Sequence, residues 1–117
     1  MQPRAARYKV GGLNFIYDTG ESYWAAPVVD LSESGLFLET SHQLPVATHV
    51  TLLADVPDSE RLPFELKGEV VRVTDVDNEG NFNRPPGLGF RLVDLRPDQY
   101  NDLKQFLERR GVPVRSK

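Results

Sequence analysis

Cysteine is absent from the 117 residues, which removes disulfides, thiolate metal sites and thiol nucleophiles together. This fits a reducing compartment, and a cytoplasmic location is expected. No stretch approaches the roughly 20 apolar residues that span a bilayer, and Met1-Gln2-Pro3-Arg4 does not lead into the apolar core of a signal peptide. Membrane insertion is therefore not expected. Histidine is scarce: only His42 and His49 occur, and without cysteine they lack the partners a transition-metal site most often uses. Excess positive charge is missing too, since the net charge is −3, which argues against a phosphate-tracking surface and against DNA or RNA as a partner. No phosphate loop with its lysine, no nucleophile elbow and no paired histidine and acid stand in the chain, so no enzyme is expected. Asp75-Val76-Asp77-Asn78-Glu79-Gly80 opens like a calcium loop, but its twelfth position is Pro86 where a bidentate Glu is required. It reads as an acidic turn.

The chain does hold short apolar segments punctuated by Gly, Pro and Asp, at the spacing of a small all-β barrel or sandwich. Strands are expected over Tyr8–Tyr17, Tyr23–Val29, Leu36–Glu39, His49–Ala54, Phe64–Thr74 and Gly87–Leu92. Pro27 suggests an edge or a bulge in the second. In the fifth, Phe64, Leu66 and Val70 share one parity and Val71 and Val73 the other, as in a strand covered on both faces. Pro97 at a first helical position, Asp98 in the first turn, Tyr100, Leu103, Phe106 and Leu107 at helical spacing and Gly111 as the stop specify one amphipathic helix over 97–110. Its apolar stripe is expected to cap the sheet, and an outlying Phe106 or Leu107 would make an interaction face. Residues 1–117 are expected to form one domain, with a flexible segment over 1–7 and a loose tail over 112–117.

The most informative stretch is Asp30-Leu31-Ser32-Glu33-Ser34-Gly35, a D-x-S-x-x-G pattern. A carboxylate and a hydroxyl two residues apart point the same way on an extended backbone, and the glycine permits a sharp turn. Arg4, Arg7 and Lys9 form a basic cluster ahead of it, whereas Arg109, Arg110, Arg115 and Lys117 suit the end of a helix and a solvated tail. Trp24 and Tyr8 could lie against a ligand, but core or rim packing explains both without one.

Val28-Val29-Asp30-Leu31-Ser32-Glu33-Ser34-Gly35-Leu36-Phe37-Leu38, together with Pro86 to Leu95 and the closing helix, resembles the PilZ domain family over nearly the whole chain. The resemblance implies a six-stranded antiparallel β-barrel with a C-terminal helix, and a receptor for the bacterial second messenger cyclic di-GMP that passes its signal to an unidentified effector protein. It also implies a ligand set of N-terminal arginines with Asp30, Ser32 and Gly35. The family's arginines stand as R-x-x-x-R, whereas Arg4-Ala5-Ala6-Arg7 is one residue short, so one arginine is missing in every register. Arg4 and Arg7 are the candidates that remain. The departure keeps an alternative open: a PilZ-like protein-interaction module with weak or no cyclic di-GMP binding.

Overall fold

The computed structural model describes residues 7–55, 65–74 and 85–114. Its strands are β1 (Tyr8–Lys9), β2 (Asn14–Asp18), β3 (Tyr23–Leu31), β4 (Gly35–Glu39), β5 (His49–Asp55), β6 (Glu65–Thr74), β7 (Gly87–Val93) and β8 (Val112–Pro113), with one helix, α1 (Pro97–Arg110). Alternation decides which side of each strand faces in. Phe15 and Tyr17 of β2 are fully buried while their neighbours are not, and Leu66 and Val70 do the same in β6. Each such side chain contributes about 1.5–3 kcal/mol on leaving water.

All the pairings are antiparallel, in the order β2-β5-β6-β7-β4-β3, and β2 also pairs with β3. That last pairing closes a six-stranded barrel and leaves those strands no free edge. One end is capped by α1, whose Leu103, Phe106 and Leu107 enter the barrel core. Gln99 fixes the helix start: its side-chain oxygen accepts from the Arg96 amide at 3.1 Å, and its NH2 donates to the Glu65 carbonyl at 2.9 Å. At the opposite end of the β3–β4 hairpin, Tyr17, Trp24 and His42 form an aromatic plug. Trp24 and His42 have ring centroids 3.9 Å apart, and the Tyr17 hydroxyl bonds Thr40 Oγ1 at 3.2 Å and His42 Nδ1 at 3.4 Å. Burial pushes the Tyr17 phenol up from its usual pKa, against a smaller lowering by Thr40.

The structure departs from the sequence reading in five places. Tyr8–Tyr17 is not one continuous strand, because a turn at Gly11-Gly12, with Gly12 at φ +77°, interrupts it, although β1 and β2 both run antiparallel along β3. β3 runs two residues beyond Val29, through Asp30 to Leu31. Val71, next to buried Val70, is 49 % exposed on the outer face, and a bulge between Val70 and Arg72 shifts the alternation so that Val73 packs toward the core, so both faces are not covered there. Phe106 and Leu107 are both buried and offer no interaction face. The tail is not loose throughout: β8 pairs with β1, Tyr8 opposite Pro113 and Lys9 opposite Val112. Proline is tolerated there because Tyr8–Pro113 lies next to the bond from the Val114 amide to the Arg7 carbonyl (2.9 Å), which makes it a non-hydrogen-bonded pair. Residues 1–6, 56–64, 75–84 and 115–117 lie outside the described residues, and with them Arg4, Phe64 and the acidic turn.

Candidate functional site

β3 delivers Asp30 to the outer surface. Leu31 is fully buried and pairs with Tyr8 of β1, so the residues flanking each, Asp30 on β3 and Arg7 and Lys9 around Tyr8, take the other face. A bulge between Val28 and Asp30 in the β3–β4 pairing re-aims the strand just ahead of the carboxylate. The result is an ion pair across 23 positions: Arg7 Nη1 donates to Asp30 Oδ1 at 2.5 Å, with the Asp30 side chain 17 % and the Arg7 side chain 47 % exposed. One oxygen of Asp30 and the remaining donors of the guanidinium stay uncommitted in this contact.

Ser32 is used differently from Asp30. The strand ends at Leu31, so the extended geometry that would align the two side chains stops one residue short of Ser32. The serine is 3 % exposed, and its oxygen accepts from the Ser34 and Gly35 amides at 3.2 Å each while lying 3.3 Å from the Gly35 carbonyl. Its own amide donates to that carbonyl at 2.8 Å. The hydroxyl therefore builds the turn from within. β7 supports the turn from the side, through the Leu92 amide bonded to the Ser34 carbonyl at 2.9 Å.

Gly35 does not supply the left-handed backbone a sharp turn would demand; among the described residues only Gly12, Gly20, Ala47 and Asp94 have positive φ. It opens β4 opposite Arg91, where a Cβ would lie 2.5 Å from the Phe90 carbonyl oxygen. Glycine is required by the close approach of β7.

Sequence reasoning overlooked Glu33, a variable position of the motif. Its carboxylate accepts from the Tyr100 hydroxyl, 67 residues away on α1, and that bond raises the Tyr100 pKa. No local sequence signal pairs the two. A groove of about 370 Å³ opens between the Gly11-Gly12 turn, Val28 and Val29 of β3, and Glu39 of β4, with Lys9 on its wall; neither Arg7 nor Asp30 lines it. No group of three or more His, Cys, Asp or Glu that could hold a metal occurs among the described residues, and no helix there is long and apolar enough to cross a membrane.

Three comparisons bear on this arrangement. The family model of the PilZ domain matches residues 2–109. Among solved structures, the PilZ domain of YcgR from Escherichia coli, described with c-di-GMP, superposes with a TM-score of 0.71 at 16 % identity, covering 94 % of this chain and 92 % of that one. No curated protein matches. With its closed six-stranded barrel, its capping helix and a family match from residue 2 to residue 109, the chain belongs to the PilZ domain family.

Proposed function

We propose that this PilZ domain binds cyclic di-GMP through Arg7 and Asp30 and transmits the binding event to a partner protein, without catalysis. The observation that carries the reading is the Arg7–Asp30 ion pair, which joins the basic N-terminal segment to the motif carboxylate. The pair is chemically suited to guanine. A carboxylate accepts from the base's N1–H and N2–H2 donors, while the arginine fork beside it donates to O6 and N7. Such contacts are charge-assisted and directional. In this reading Ser32 and Gly35 shape the turn that holds Asp30, and Arg4 adds positive charge to the ligand's phosphates.

A link from the motif turn to the helix supports the signalling part of this reading. Glu33 lies three residues from Asp30 and is tied to α1 through Tyr100, so a shift of the turn reaches the helix directly. Ligand seated between the N-terminal segment and the barrel would change the surface offered to a partner. Residues 1–117 act on this reading as one receptor domain in the cytoplasm. The short R-x-x-R spacing favours the second reading, a protein-interaction module with weak or no cyclic di-GMP binding.

Calorimetric titration separates the two. Cyclic di-GMP should give saturable heat while guanosine monophosphate gives far less, and absence of heat with cyclic di-GMP at high micromolar concentration would leave the interaction module standing.

A further inference from the structure

We propose that Lys9 is a further ligand cation of this site, beside Arg7 and Arg4, supplying the contact that the short R-x-x-R spacing omits. The inference rests on the cyclic di-GMP reading above and names a residue that the D-x-S-x-x-G and arginine patterns do not include.

Placement comes first. Tyr8 pairs with buried Leu31, so Tyr8 turns to the core and its neighbours Arg7 and Lys9 share the opposite, exposed face. On the reading above, the face that carries the Arg7–Asp30 pair is the ligand face. Two residues along a strand separate their Cα atoms by about 6.6 Å, with both side chains on one face. The strand itself is pinned on both edges, by β3 through Tyr8 and Leu31 and by β8 through the pairs Tyr8–Pro113 and Lys9–Val112 and the Val114 amide bond to Arg7. Holding the backbone in place lowers the ordering cost of presenting both charges.

Availability comes second. Arg7 is engaged by Asp30, whereas Lys9 makes no ion pair or side-chain hydrogen bond among the described residues. It stands on the wall of the 370 Å³ groove that runs beside Val28 and Val29. The rim there is open, since even a Cβ on Gly11 would meet nothing within 4 Å. Glu39 also lines the groove, and its carboxylate disfavours an anion close to it.

Chemistry divides the labour. An ammonium is a compact point charge that suits a phosphate oxygen, whereas the planar guanidinium of Arg7, beside Asp30, suits the guanine edge. Lys9 thus holds a phosphate while Arg7 and Asp30 read the base.

The test is a titration of cyclic di-GMP into the unaltered chain and into Lys9→Ala, Lys9→Arg, Arg4→Ala and Lys104→Ala. Lys104 is an exposed helix lysine that controls for net charge. Loss of one charge-assisted bond should weaken Lys9→Ala about tenfold, with Lys9→Arg within about threefold of the parent and Lys104→Ala unchanged. Added salt should weaken the parent more steeply than Lys9→Ala. Binding that survives Lys9→Ala unweakened, with Arg4→Ala carrying the loss, would overturn the assignment while leaving the receptor reading intact. Absence of binding by the unaltered chain would overturn both.

Discussion

Replacing Ser32 by alanine should cost stability first and affinity second. The hydroxyl oxygen accepts from two amides, those of Ser34 and Gly35, at 3.2 Å each, inside a turn where the residue is 3 % exposed. Ser34 is exposed, so water can replace the bond to its amide, while Gly35 is half-buried and its amide loses its acceptor. One stranded donor of that kind costs about 1–3 kcal/mol, and ~2 kcal/mol is a fair centre for this site. At ~2.1 cal/mol/K per residue, 117 residues unfold with an entropy of about 0.25 kcal/mol/K, so the loss lowers Tm by about 8 °C. Scanning calorimetry of Ser32→Ala reads that shift. A titration with cyclic di-GMP well below the lowered Tm should then retain most of the affinity, because the hydroxyl serves the turn. An unchanged Tm together with abolished binding would refute this reasoning and place the hydroxyl on the ligand.

Gly35→Ala should lower the denaturant midpoint by the equivalent of about 1–3 kcal/mol, since its methyl group would press on the Phe90 carbonyl and force β4 from β7. An unchanged midpoint would mean that the close approach does not constrain this position. Alkaline stability should report Tyr17. Its folded pKa is raised by burial, so the folded state holds the phenolic proton more tightly than the unfolded chain. Its contribution is complete below the unfolded pKa of about 10 and is lost as pH rises through the higher folded value. Tyr17→Phe should flatten that part of the curve of Tm against pH, and an equally steep decline in the variant would remove Tyr17 from the explanation.

Much of the fold was legible because it rests on local patterns. The helix over 97–110 was bounded by Pro97, the apolar stripe and Gly111, and α1 has those limits. The barrel strands were visible as short runs between turn residues, and their pairing came from resemblance, since alternation tells which face is buried and not which strands are neighbours. What escaped was non-local or depended on one extra residue. The bulge at Val71 flips a parity that sequence reads as continuous, and the Val28–Asp30 bulge re-aims the motif carboxylate. β8 is two residues long and includes a proline, so it carries no strand signal of its own. Gly35 looked like a turn glycine because the neighbour it must avoid, the Phe90 carbonyl, lies 55 residues away. Asp30 and Arg7 were both candidates, but only the register of β1 on β3 brings them together.

The central claim is that Arg7 and Asp30 grip one guanine as a unit, and a double-mutant cycle in affinity tests it most directly. Cyclic di-GMP would be titrated into the unaltered chain, Arg7→Ala, Asp30→Ala and the double variant. Each single change should weaken binding by about one to two decades, and the double variant should lose little beyond either, a coupling of about 1.5–3 kcal/mol. Losses that simply add, or single variants that bind as tightly as the parent, would contradict the account.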